Sequence, residues 1–146
     1  MQPFPCLEVF VKISPYLNFQ GNCAEALAFY EDVFHGKVLF VQSFGDSPMS
    51  GDVPANWQNA TMHATLQIGD QLIMASDAPG DRYKKPQGFA VSYATTDVAA
   101  AERIFAALAA GGAVEMDLQE TFWAERFGMV TDRFGTPWMI NCEKPA

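Results

Sequence analysis

The chain has 146 residues, 49% hydrophobic and 18% charged, which is the size and composition of one ordinary domain spanning 1–146. Nine Lys+Arg against seventeen Asp+Glu give a net charge of -8, the opposite of the basic footprint that phosphate backbones and anionic membranes attract. Nucleic acid and membrane partners are therefore not expected, and no window approaches the ~18 uninterrupted apolar residues of a spanning helix.

The first residues, MQPFPCLEVFVKISPY, are apolar, but Glu8 precedes the first cation, Lys12, so the start does not read as a signal peptide and a cytoplasmic location is expected. Cys6, Cys23 and Cys142 are odd in number and form no CxxC pair, which fits reduced thiols. Cys23 stands at the start of a predicted helix, where the dipole lowers a thiol pKa. Residues 11–19 read as a strand with Ile13, Leu17 and Phe19 toward the helix and Ser14, Tyr16 and Asn18 on the open face.

Residues 22–34 read as a helix. Asn22 is its N-cap, Glu25 follows three positions on, and Ala26, Phe29, Tyr30 and Val33 form its apolar stripe. Gly36 ends it, and His35 beside it complements the dipole at the surface. A strand at 38–44, a long loop at 45–60 carrying Trp57, and strands at 62–68 and 71–75 complete the first half. A turn over Gly69-Asp70-Gln71 pairs Ile68 with Leu72 and puts His63, Thr65 and Gln67 on one face with Ile73, Ala75 and Asp77. In that register His63 lies across from Asp77, a carboxylate that would fix its tautomer and raise its basicity.

A link at 77–87 leads to a strand at 88–93, with Phe89, Val91 and Tyr93 toward the helix and Ala90 and Ser92 outward. Asp97 caps a second helix whose stripe is Ala101, Ile104, Phe105 and Leu108, ending at Gly111 and Gly112. Strands at 114–119, 129–131 and 138–142 follow; alternation sends Trp138 to the core and Met139 to the open face. Phe122, Trp123, Phe127 and Phe134, with Trp57, are the aromatics available to wall a flat ligand, and Glu120 and Glu125 flank Trp123 as a candidate acid/base pair.

The two halves repeat one plan. Tyr30 to Phe105 and Gly36 to Gly111 share a spacing of 75, Phe19 to Tyr93 gives 74, and Gly69 to Gly135 gives 66. The fold class is α+β: two βαβββ repeats, about 11–77 and 88–142, forming a curved mixed sheet around a cavity. One helix covers one face of each sheet, so the other face needs a partner or a ligand.

The segments ISPYLNFQGNCAEALAFYEDVF, MHATLQIGDQLIMASDA and QETFWAERFGMVTDRFGTPWMIN, set in this duplicated plan, resemble the vicinal oxygen chelate superfamily, the glyoxalase and bleomycin-resistance fold, and within it the PhnB-like group. The resemblance implies four metal positions, one on the first and one on the last strand of each repeat, which project onto Ser14, Ile73, Gly88 and Met139. None is a His, Glu or Gln, so neither metal nor other cofactor is expected. It then implies a protein that holds a small organic molecule in a metal-free cavity, with Tyr16, Asn18, His63, Trp57 and Trp123 as ligand-binding residues and His63 and Asp77 as candidates for chemistry. Superfamily members commonly pair, which implies a homodimer. The alternative is a metal-dependent lyase, isomerase or dioxygenase with displaced ligands. Members of the group also carry a 3-demethylubiquinone methyltransferase label, for which no GxGxxG turn follows a strand in this chain.

Overall fold

Each half of the chain lays down a strand, a helix and three further strands. In the computed structural model, which describes residues 11–145, the first half consists of β1 (Tyr16–Phe19), α1 (Cys23–Phe34), β2 (Lys37–Ser43), β3 (Thr61–Ile68) and β4 (Gln71–Asp77). The second consists of β5 (Val91–Thr95), α2 (Val98–Ala109), β6 (Ala113–Gln119), β7 (Ala124–Thr131) and β8 (Pro137–Glu143). Cys6 and the other residues of 1–10 lie outside the described residues.

The strands form two four-stranded sheets, ordered β1-β4-β3-β2 and β5-β8-β7-β6, in which the first strand of each repeat runs parallel to the last and the other pairs are antiparallel. The α+β repeat architecture read from the sequence is therefore present. Both first strands begin later than the alternation suggested. Ile13 precedes β1 and is 95% exposed, and Phe89 precedes β5 and is 52% exposed, so neither faces a helix as expected. Pro15 stands immediately before β1, and Gly88, at a φ of +79°, lies three residues ahead of Val91, where the pairing of β5 starts. β7 is longer than the three residues expected. Thr121 closes a turn by donating its amide to the Ala124 carbonyl and accepting the Ala124 amide on Oγ1, which draws Ala124 to Gly128 into the strand.

The helices bury the stripes that their spacing indicated. On α2 the buried residues are Ala101, Ile104, Phe105 and Leu108; on α1 they are Cys23, Ala26, Leu27, Tyr30, Val33 and Phe34, with Phe29 half-buried. Asp97 caps α2 by accepting the Ala100 amide at 3.1 Å. Asn22 makes no such bond. The cap of α1 comes from β4, where Asp77 Oδ1 accepts the Gly21 and Cys23 amides at 2.8 and 3.0 Å.

The end of α1 also differs from the expectation that Gly36 would turn the chain. His35 itself takes the left-handed conformation, at a φ of 53°. Gly36 is needed for space, since a Cβ there would lie 2.6 Å from the Gln67 carbonyl oxygen of β3. Gly112 answers to it in the second repeat, its Cβ position 2.3 Å from the Thr131 carbonyl of β7. The spacing between these glycines is thus 76, one more than the helices keep, because two residues rather than one separate α2 from its glycine. Gly36→Ala is expected to lower the unfolding free energy by about 1–3 kcal/mol in urea titrations, because the obstacle is backbone and cannot rotate away.

One core runs through both repeats. Tyr30 and Phe34 of α1 pack on Trp138 of β8, at ring-centroid distances of 5.3 and 4.8 Å, and Phe34 also meets Tyr93 of β5. Trp138 is 2% exposed, in the core as its parity indicated. The Tyr30 hydroxyl donates to Asp132 Oδ2 at 2.5 Å, and Trp138 Nε1 donates to the same oxygen at 2.8 Å, so the buried Asp132 fastens the first repeat to the hairpin of the second. Among the described residues no helix is long and apolar enough to cross a membrane.

Candidate functional site

The register of the β3–β4 hairpin decides which side chains meet on the open face of the first sheet. Ile68 pairs with Gln71, leaving only Gly69 and Asp70 in the turn, with Gly69 at a φ of +60°. A Gly-first pair suits this tight two-residue turn, and the one-residue difference from the expected register exchanges the faces of β4. Ile73, Ala75 and Asp77 consequently point toward α1 and are buried, while Leu72, Met74 and Ser76 occupy the open face.

The expected pairing of His63 with Asp77 is thereby corrected. Asp77 is 3% exposed and its oxygens accept the amides of Gly21, Cys23 and Thr61. His63 lies on the opposite face. Its Nδ1 is 3.1 Å from the Tyr16 hydroxyl, and its ring stacks on Tyr16 at 5.8 Å and lies 6.0 Å from Phe40. Continuing the pairing of Ala64 with Ala75 by one step puts Ser76 opposite His63, which in turn pairs with Gln42. Asn18 pairs with Ser76, whose hydroxyl donates to Asn18 Oδ1 at 3.3 Å. Asn18, Ser76, His63 and Gln42 thus form a polar row across all four strands, beside a second row of Tyr16, Met74, Thr65 and Phe40.

At the end of this face lies a cavity of about 720 Å³. The long loop after β2 forms one wall with Met49, Val53 and Trp57, and Met62 of β3 another. Asn18 and Ser76 supply the floor, and Arg82, in a short 3-10 turn at Gly80–Arg82, stands at the edge. Of the five ligand-binding residues expected from the sequence, Asn18 and Trp57 line this cavity, while Tyr16 and His63 sit on the adjoining part of the same face. Asp77 also lines it, with its carboxylate committed to backbone amides.

Trp123 is not brought there. It is 49% exposed on the second repeat, edge-on to Phe122 and Phe127. Ser76, Met62 and Arg82 were missed by the sequence reading: Ser76 because of the one-residue register, Arg82 although it opens the visible basic run RYKK in an acidic chain.

The second sheet presents a different open face. Ser92, Met139, Met129 and Met116 align across its four strands, next to Ala94, Asn141, Phe127 and Gln119. Met139 is on this face as expected, and Asn141 Oδ1 is buried without a hydrogen-bond partner among the described residues. Glu120 is exposed ahead of the turn into β7 and Glu125 is half-buried on β7; neither lines the cavity.

Of the projected metal positions, Ser14 and Gly88 precede their strands and Ile73 faces the helix. The residues paired on the two open faces at the equivalent place are Tyr16 with Met74 and Ser92 with Met139. A phenol, a hydroxyl and two thioethers do not make a site for a hard divalent ion. Cys23, expected to be acidified at its helix N-terminus, is instead pushed up to about 12, by burial first and then by the Asp77 carboxylate, against a smaller opposing hydrogen bond to Thr61.

The model of the Glyoxalase/Bleomycin resistance protein/Dioxygenase superfamily matches residues 12–140. The chain is 41% identical over 140 residues to Protein YjdN of Escherichia coli (strain K12), covering 90% of this chain and 95% of that one. It superposes on the crystal structure of protein PA1353 from Pseudomonas aeruginosa with a TM-score of 0.82 at 45% identity, over 93% of this chain and 100% of that one. A Bacillus cereus protein described as a putative 3-demethylubiquinone-9 3-methyltransferase, PhnB protein, has the same fold, with a TM-score of 0.75 at 22% identity over 90% and 98% of the two chains.

Proposed function

The chain belongs to the Glyoxalase/Bleomycin resistance protein/Dioxygenase superfamily, and from that premise we propose that it binds a small organic molecule in the cavity of its first repeat without a resident metal. The observation that carries this reading is the joining of an apolar-walled cavity of about 720 Å³ to a row of polar side chains on the same sheet face. Apolar walls supply most of the affinity of such sites, and a few fixed polar groups orient the ligand. Trp57 and Met62 serve as walls; Asn18, Ser76 and the His63–Tyr16 pair give direction.

The working form is a homodimer in a reducing compartment, with no nucleic-acid or membrane partner. Edge strand β2 exposes Leu39, Phe40 and Val41, edge strand β6 exposes Val114 and Met116, and Trp123 of the second repeat is half-exposed against Phe127. Apolar edges of this kind favour burial against a second copy. The methionine row of the second sheet offers a deformable apolar surface that a partner's first sheet can face. Cys23 and Cys142 are buried free thiols.

Fluorescence titration with N-phenyl-1-naphthylamine, a neutral aromatic probe, tests the cavity. One saturable site per chain is expected, weakened about tenfold or more by Trp57→Ala, as for an aromatic anchor in a binding pocket. Absence of saturable binding, or binding indifferent to Trp57→Ala, overturns the reading.

A further inference from the structure

We propose that the molecule held in this cavity is an organic anion, a flat apolar body carrying a carboxylate or sulfonate that Arg82 receives. The inference rests on the binding function proposed above and names the class of ligand.

Charge in this chain is unevenly spread. Three of the nine Lys+Arg, namely Arg82, Lys84 and Lys85, fall within four residues of the link between the repeats, while the whole carries a net charge of -8. That link borders the cavity, and Arg82 lines it. The one ion pair among the described residues joins Arg126 to Glu102, so no described carboxylate lies within ion-pair distance of the Arg82 guanidinium. Lys84 and Lys85 are exposed beside it.

The remaining polar groups of the cavity favour the same ligand. Asn18 Oδ1 already accepts the Ser76 hydroxyl, which leaves the Asn18 amide N–H groups to donate. The Asp77 carboxylate is occupied by three backbone amides and is buried. The Asn18 amide and the Arg82 guanidinium are therefore the donors that side chains offer the cavity, and a ligand that carries acceptors satisfies them. Asp52 and Asp77 are the opposing charges: the Asp77 carboxylate is turned to its three backbone amides, while Asp52 lines the cavity from an exposed 3-10 turn at Ser50–Asp52. A guanidinium and an amide presenting several N–H groups to one anionic head, with Trp57 against the ring system, is the recognition chemistry of an aromatic carboxylate or sulfonate.

Two probes sharing one ring system separate the charge from the apolar body. 8-Anilinonaphthalene-1-sulfonate carries the anion, and N-phenyl-1-naphthylamine lacks it. Arg82→Ala is expected to weaken the sulfonate about five- to tenfold at low salt, with the difference shrinking as salt is added, and to leave the neutral probe within about twofold. Asp52→Asn is expected to tighten the sulfonate about two- to threefold and not the neutral probe.

Equal loss of both probes in Arg82→Ala, or no loss of either, overturns the anion assignment while leaving the cavity standing. If Trp57→Ala affects neither probe, the probes bind elsewhere and the cavity reading itself fails. Thermal unfolding of each variant without probe separates weakened binding from weakened folding.

Discussion

Asp132→Ala is expected to lower the unfolding free energy by about 4 kcal/mol, enough to threaten a small domain outright. Asp132 is 3% exposed and accepts four hydrogen bonds: Tyr30 hydroxyl at 2.5 Å, Trp138 Nε1 at 2.8 Å, and the amides of Phe134 and Thr136 at 2.8 and 3.1 Å. Alanine leaves Trp138 Nε1 and the Thr136 amide unpaired in a buried place and the half-buried Phe134 amide without its acceptor, while the Tyr30 hydroxyl keeps only Thr136 Oγ1 at 2.9 Å, so the cost is that of unpaired groups rather than of the bonds alone. Because Tyr30 belongs to α1 and Asp132 to the last hairpin, the same change loosens the seating of one repeat on the other. Tyr30→Phe is expected to cost less, about 1–2 kcal/mol, and to couple with Asp132→Ala in a double-mutant cycle. A loss under about 1 kcal/mol for Asp132→Ala in urea titrations contradicts this account.

The clasp also sets an alkaline limit. Burial, then the neighbouring Asp132 charge, raises the Tyr30 hydroxyl well above its ordinary 10.0, and Cys23 is raised from 9.0 to about 12. Both groups hold their protons longer in the folded protein than in the unfolded chain. The stability that these two groups contribute is therefore expected to be full below about pH 9 and to be lost as pH rises from their unfolded values toward their folded ones, first for Cys23 and then for Tyr30. Tyr30→Phe flattens the part of the decline above pH 10.

Asp77→Ala is expected to cost about 3 kcal/mol and to weaken probe binding in the cavity at the same time. Its carboxylate replaces the side-chain cap that Asn22 does not provide, and it ties the first turn of α1 to the start of β3 through Gly21, Cys23 and Thr61. Losing a helix cap costs ~1 kcal/mol, and a third unpaired amide in a buried position adds to it. The long loop that carries Trp57 leads directly into Thr61, so release of that amide frees one wall of the cavity. Asp77→Asn keeps only one oxygen to accept and turns its N–H groups toward backbone donors, so it is expected to recover little of the loss. Full probe affinity in a folded Asp77→Ala protein contradicts the positioning role.

The helices were legible because their stripes, Ala101, Ile104, Phe105 and Leu108 above all, are set by a 3.6-residue period that no neighbour overrides. Strand faces were less so, since parity carries no information about register. Gly69-Asp70 serves a two- or a three-residue turn, and choosing the longer one moved Asp77 onto the wrong face and hid Met74 and Ser76. Asn18 and Tyr16 were placed correctly on the open face because Leu17 and Phe19 fix the parity of β1 from within the strand. Arg82 and Met62 could not be placed from sequence, because their meeting depends on how the loop after β2 and the link after β4 fold over the same sheet edge.

Titration of N-phenyl-1-naphthylamine before and after exhaustive dialysis against EDTA tests whether the cavity binds its ligand through this chain's own side chains, as proposed, without a divalent ion. The affinity is expected to remain within about twofold, as for a site whose donors are an amide, a hydroxyl, an imidazole and apolar walls. Loss of binding after chelation, restored by one equivalent of zinc, nickel or manganese, contradicts it.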